Sequence, residues 1–442
     1  MKKTISIILV AAMLVPLIVG CANGSAPSTD QTQQTPATAI ETEADNQGNG
    51  QGDTQDISAI GFQFERKTIA FAVMSYTPEL QQVREYFEDF IADRFNIDFI
   101  FSDNLGTDVA TIINFVESAH IAGAQAIVDA ATAAPSDVQS VADRVNELGM
   151  WYTTWNQSFP LVAHLEYAIG AGSQDVYLQG EQIKEILKEL FGEGEPRNFI
   201  LHTGMAQFGN VVQTVTSVAV LEALQEIYGL TYADDIENIV RTTNSTTRLE
   251  TDRDDVRVAL MVDTGDPGID EFTNLARDGE YNVAIFSGAM YLAFESIIRD
   301  IENALDMNMY LISVAAMAPT TANSFETLDA FGNPSLDAAI VANYARFSMM
   351  IALLLNALYG YADYVRPDGT AIIYQVPNWV IMNAEEYEIA AKIGTTNDLQ
   401  IFSEDDILQM FRGTNPNLNY EVLQEWASKA ALDETLVRLG LR

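Results

Sequence analysis

Hydrophobic and polar positions divide the chain into three parts. An apolar run extends from about Ile5 to Val19. Residues 22–60 carry few large apolar side chains. From Lys67 onward, short apolar runs alternate with helically spaced ones. Thr68–Val73 is continuously apolar, as expected of a strand buried on both faces. Ser75-Tyr76-Thr77-Pro78-Glu79 follows as a loop. Leu80–Phe95 then places Val83, Phe87, Phe90 and Ile91 at helical spacing. Ile97–Phe101, 125–128 and Trp151–Thr154 predict further strands, with helices over Val109–Ala122 and Ser136–Leu148, the latter opened by a Ser-Asp cap. The alternation resumes with strands at Asn198–His202, Val256–Val262, Asn282–Phe286 and Tyr310–Val314. Helices are predicted at Val211–Tyr228, Ile269–Arg277 and Tyr291–Leu305. Strands and helices alternating through short loops imply parallel sheets with right-handed crossovers. The expected fold class is α/β, with two Rossmann-like doubly wound lobes in tandem.

The first part carries its own chemistry. Met1-Lys2-Lys3 precedes the apolar run, which is shorter than the roughly 20 residues that cross a bilayer. Leu17-Ile18-Val19-Gly20-Cys21 ends it and resembles the bacterial lipobox, so residues 1–20 are expected to be a signal peptide and Cys21 the lipidated N-terminus. Cys21 is the only cysteine, which rules out an intrachain disulfide. Residues 21–60 are too polar to offset their ordering entropy and predict a disordered tether. A coil of about 40 residues has an r.m.s. span of about 35 Å. Residues 347–358 are apolar but too short to span a membrane and contain Asn356.

Charge narrows the partners. The 62 Asp and Glu outweigh 23 Lys and Arg, a net −39. A field of that sign repels nucleic acid and anionic lipid heads, so no nucleic-acid partner is expected.

The order and spacing of residues 66–394 resemble a type I periplasmic substrate-binding protein, the sugar-type receptors of ABC importers. The matching segments are the strand, Ser/aromatic/Pro loop and long helix from Lys67; Asp103-Asn104; Gly-Ala-Gln-Ala-Ile-Val at 123–128; and 147–156, ending in Trp155-Asn156. They continue through Ile169–Gly180, Leu336–Asn343 and Val376–Ile381. The resemblance implies two lobes closing over a ligand, joined by crossings near 160–168, 317–322 and 374–377. The lobes are then 61–162 with 320–375 and 163–319 with 376–394, and 395–442 is a helical extension that packs on the second lobe or serves a partner.

A sugar pocket needs an aromatic plate ringed by polar side chains. The resemblance points to Ser75 and Tyr76 in the first loop, Asn104 after the second strand, and Trp155 and Asn156 after the fourth. It adds Gln207 and Phe208 in the second lobe, and Asn343 on the return segment. The sequence departs from the family at three charged positions. The loop after the third strand holds Ala where an Asp is usual, Thr216 replaces an Arg, and Ser287 stands near a usual Asn-Asp pair. These losses predict a pocket less charged than a typical monosaccharide site. A carbohydrate is favoured; a nucleoside, an autoinducer-like furanose, a larger glycan or another small molecule stays open.

No catalytic pattern emerges. His120, His164 and His202 are scattered, and no nucleophile elbow or phosphate-cradling loop is present. The acid-rich 263–270 lacks the ligand order of a calcium loop and predicts a turn and helix cap. The expectation is a binding protein without enzymatic activity, cofactor or metal. Its small-molecule ligand would be passed to an ABC permease or reported to a membrane sensor, a choice the fold leaves open.

Overall fold

The computed structural model describes residues 62–192, 197–204, 206–208, 210–262, 268–277, 280–287, 289–316, 319–393 and 399–442. Cys21, the predicted leader and tether, and most of the acid-rich turn at 263–270 lie outside the described residues.

The chain opens with β1 (Lys67–Val73), α1 (Pro78–Tyr86), α2 (Ala92–Phe95), β2 (Ile97–Asn104), α3 (Val109–Ile121), β3 (Ala126–Ala130), α4 (Pro135–Glu147), β4 (Trp151–Thr154) and β5 (Ala168–Gln174). It continues through α5 (Gln179–Phe191), β6 (Phe199–His202), α6 (Val211–Tyr228), α7 (Ile236–Thr242), β7 (Thr247–Arg248), β8 (Val258–Met261), α8 (Ile269–Arg277), β9 (Val283–Ser287), α9 (Glu295–Leu305), β10 (Tyr310–Ala316), α10 (Pro319–Glu326) and β11 (Ala338–Ala342). The last part holds α11 (Ala345–Leu358), β12 (Ile373–Val376), β13 (Trp379–Ile381), α12 (Ala384–Lys392), α13 (Glu404–Gln409), α14 (Tyr420–Ser428) and α15 (Leu432–Arg438). Two sheets result, ordered β12-β5-β4-β3-β1-β2 and β13-β11-β10-β9-β6-β8-β7. The first is parallel throughout, and the second has antiparallel strands only at its edges, β13 and β7. In the first sheet β1 and β3 lie inside the edge strands, and Ile69–Val73 and the whole of β3 are buried, as strands covered on both faces must be.

Sheet membership moves the crossings. The chain leaves the first sheet after Gln174, returns after Ala342, and leaves again between Val376 and Trp379. The first two lie later than the expected 160–168 and 317–322, so the lobe limits 162/163 and 319/320 shift with them. β5 is a strand of the first lobe although its Ala-Ile-Gly-Ala-Gly-Ser run looks like a loop, because its small side chains let α11 lie directly on it. Residues 336–343 belong to the second lobe, since β11 pairs in parallel with β10. The expected closing strand at 376–381 is two strands, one in each sheet, parted by Pro377-Asn378. The Ser-Asp cap is not formed. α4 begins at Pro135, with Ala134 at its N-cap and no side-chain cap.

The extension packs on the first lobe. α11 is buried almost all round, and a helix apolar on every side needs cover on every side. β3, β4, β5 and β12 pack against it, and α14 lies on β12 and touches α11. Asn356 donates to the Met410 carbonyl at 2.8 Å and accepts from the Arg412 N–H at 2.9 Å. The extension also touches the third crossing, where Trp379 Nε1 donates to the Ala430 carbonyl at 2.7 Å.

One half-buried acid should give the second lobe a pH response. Asp337 accepts from the Leu311 N–H at 2.7 Å, and burial pushes its carboxyl up to about 7, with Asp329 and Glu302 adding to the rise. A raised carboxyl favours the fold while protonated. That contribution is complete below pH 4 and is lost as pH rises through 7. Asp337→Asn, which keeps an acceptor for Leu311, should therefore raise stability at pH 8 by roughly 2–3 kcal/mol and change it little at pH 4. Denaturant melts at the two pH values check this.

Candidate functional site

A cavity of about 310 Å³ lies between the lobes. Its walls are the C-terminal ends of β1, β3, β4, β5 and β9, the sheet edge at which open α/β folds hold ligands. The second lobe adds the first turn of α6. There Asn210 caps the helix by accepting from the Gln213 N–H at 3.0 Å, and Val211 and Val212 face the cavity.

The loop after β3 is fixed from below by Asp129. Its carboxylate accepts from the N–H groups of Ala131 and Thr132, at 2.9 and 3.1 Å, and from the hydroxyls of Thr132 and Tyr152, at 2.6 and 2.8 Å. Burial pushes this carboxyl up while these hydrogen bonds pull it down. Asp129 therefore builds the wall, and the alanines after it form the cavity surface. Thr216 and Ser287 also line the cavity, Thr216 donating to Gln179. All three places where the sequence departs from the sugar-receptor pattern thus fall on the wall.

The expectation of a weakly charged pocket needs correcting, because α1 and α11 supply an ion pair. Glu79 and Arg346 line the cavity, bond to each other and are each about 8% exposed. Desolvation pushes the Glu79 carboxyl up, and the Arg346 charge and hydrogen bond oppose it. The guanidinium lies 4.5 Å from the Trp155 ring centroid and 5.1 Å from that of Phe347. Two further links, Tyr86 to Ser348 at 2.9 Å and Tyr344 to Gln82, hold α11 against α1 around this pair. The sequence did carry a signal for Arg346: one lone charge in the first turn of an apolar helix.

Of the residues proposed from sequence, Trp155 and Asn156 reach the cavity. Asn156 is also a loop brace, donating to the Thr132 carbonyl at 3.0 Å and accepting from the Ser158 N–H at 2.8 Å. Ser75 is exposed and does not line the cavity. Asn104 accepts from the Tyr76 N–H at 2.8 Å and so shapes the first loop, while the Tyr76 ring packs toward the core beneath Arg84. Asn343 is buried at the second crossing, donating to the Pro377 carbonyl at 2.7 Å and accepting from the Ala345 N–H at 3.0 Å. Gln207 sits in a short turn away from the lining, and the Phe208 side chain lies outside the described residues.

Solved structures share this architecture. An ABC transporter solute binding protein from Burkholderia graminis C4D1M, in complex with D-arabinose, matches with a TM-score of 0.51 at 11% identity, over 73% of this chain and 96% of that one. One from Bacillus halodurans C-125 with bound myo-inositol gives 0.50 at 16% identity, over 74% and 97%. A third, from Actinobacillus succinogenes 130z with bound D-allose, gives 0.50 at 12%, over 73% and 99%. The chain has the type I periplasmic-binding-protein fold. No family model and no curated protein matches its sequence. Among the described residues of this binding-protein fold, no three His, Cys, Asp or Glu side chains gather to hold a metal, and no helix is long and apolar enough to cross a membrane.

Proposed function

We propose that this chain is an extracytoplasmic receptor that closes over a small polyhydroxylated ligand, a sugar or polyol, and delivers it to an ABC importer. The lipid on Cys21 holds it at the membrane, and the polar residues 22–60 give it reach. The observation that carries the reading is the cavity between facing strand ends. Its wall mixes amides and hydroxyls with apolar side chains such as Met74, Val211 and Ile340, with Trp155 as an aromatic plate and a charged pair as hydrogen-bonding partner. Polar rings and chains of hydroxyls are the ligands such a wall satisfies. The bound myo-inositol, D-arabinose and D-allose of the similar structures belong to that class.

Thermal shift of the purified chain against sugars, polyols, nucleosides and amino acids tests this. A ligand at about 100 times its Kd should add about 2.7 kcal/mol of stability. The reading fails if a nucleoside or amino acid moves the midpoint and no carbohydrate does.

A further inference from the structure

Glu79 and Arg346 are the two formally charged side chains among the described residues on the cavity wall, and they sit side by side. Their hydrogen bonding is incomplete. Arg346 Nε is buried without a partner, and Glu79 spends one carboxylate oxygen on the guanidinium. The cavity wall therefore holds a guanidinium with donor capacity to spare beside a carboxylate with an oxygen to spare, with no net formal charge. Around them the polar wall consists of neutral side chains such as Gln174, Ser287 and Asn378.

A hydroxyl both donates and accepts. Two hydroxyls on adjacent carbons can donate a hydrogen bond to the Glu79 carboxylate and accept one from the Arg346 guanidinium at once. Both bonds are charge-assisted, and each protein charge keeps its own partner. A ligand carboxylate at the same place is attracted by Arg346 but meets Glu79, and a ligand ammonium is attracted by Glu79 but meets Arg346, so neither finds a net charge to offset its lost hydration. In a site shielded from water such like-charge contacts are strongly unfavourable.

We infer that the Glu79–Arg346 pair is a charge filter that reads a vicinal diol on an uncharged ligand and excludes the acid and amine derivatives of the same carbon skeleton. This deepens the receptor reading above and rests on it. The pair works by mutual neutralisation, so removing either member shifts the preference in a set direction. Glu79→Gln leaves a net positive wall that admits acids, and Arg346→Gln leaves a net negative wall that admits amines.

The test is calorimetric titration of the full chain with matched probes: D-glucose and D-galactose, glucuronate and galacturonate, glucosamine and galactosamine, with myo-inositol, D-arabinose and D-allose as further neutral probes. Wild type should bind at least one neutral probe and bind the acids and amines at least 100-fold more weakly. Glu79→Gln should narrow the neutral-to-acid ratio at least 10-fold, and Arg346→Gln the neutral-to-amine ratio by as much. The double variant should restore discrimination by neither. Melting curves confirm that each variant is folded; if a single variant does not fold, the wild-type ratios decide. Wild type binding an acid or amine as tightly as its neutral parent overturns the filter, as do ratios unchanged in folded variants. Failure of every carbohydrate to bind overturns the receptor reading, and the filter with it.

Discussion

Phe411→Ala should cost the protein about 3–5 kcal/mol, the usual loss when a fully buried aromatic ring is cut back to a methyl. The ring is completely buried. Its aromatic neighbours come from two distant parts of the chain. Phe62 and Phe64 stand before β1, with centroids at 5.0 and 5.4 Å. Tyr359 and Tyr361 follow α11, at 5.4 and 5.7 Å. Phe411 itself belongs to the extension. The substitution therefore weakens one junction at which the start of the first lobe, the end of α11 and the extension meet. The extension also covers the buried α11, so the loss should appear as lower stability of the whole first lobe rather than fraying of the terminus. Denaturant unfolding followed by tryptophan fluorescence measures it. A cost below about 1 kcal/mol would mean that the extension is not packed as described.

The second large effect couples stability to the site. A Cβ on Gly172 would lie 2.3 Å from the Arg346 carbonyl oxygen and 3.1 Å from Met350 Cγ. The first contact is with backbone, which has no rotamer to move to. Gly172→Ala must push α11 away from β5. Overpacking of this kind costs about 1–3 kcal/mol, and a helix-to-strand backbone clash belongs at the upper end. The displaced helix carries Arg346, so ligand affinity should also fall at least tenfold. Phe411→Ala lowers stability without touching the cavity and should leave affinity unchanged in the folded fraction. Melting and titration of both variants separate the two cases. Unchanged affinity in Gly172→Ala would show that the α11–β5 contact does not set the position of Arg346.

The elements of this fold are legible where the hydrophobic pattern is strong. β1 contains the apolar run Ile69–Val73 and β3 the run Ala126–Val128, and α6 spans Val211–Tyr228 as its spacing predicts. The crossings are not legible, because they depend on which sheet a strand joins, and pairing leaves no local mark. β5 shows why. Its small residues are explained by α11, which is some 170 positions later in the chain. The site divides in the same way. Trp155 and Asn156 follow a strand end, a place that topology alone puts at the cleft. Asn343 and Asn156 read as polar contacts in sequence, and only the fold reveals their backbone partners. Glu79 and Arg346 are hidden for the opposite reason. Glu79 reads as an ordinary helix residue, and the lone charge of Arg346 in an apolar helix gains its meaning only from meeting Glu79, 267 positions away.

The central claim is that the lobes close on an uncharged polyol at this pair. A crystal structure of the chain with its tightest-binding sugar or polyol tests it most directly. The expected result is a ligand between the lobes beside Trp155, with one hydroxyl oxygen on the Arg346 guanidinium and a neighbouring hydroxyl on the Glu79 carboxylate. A ligand bound elsewhere, or one held in the cleft without touching either residue, would contradict it.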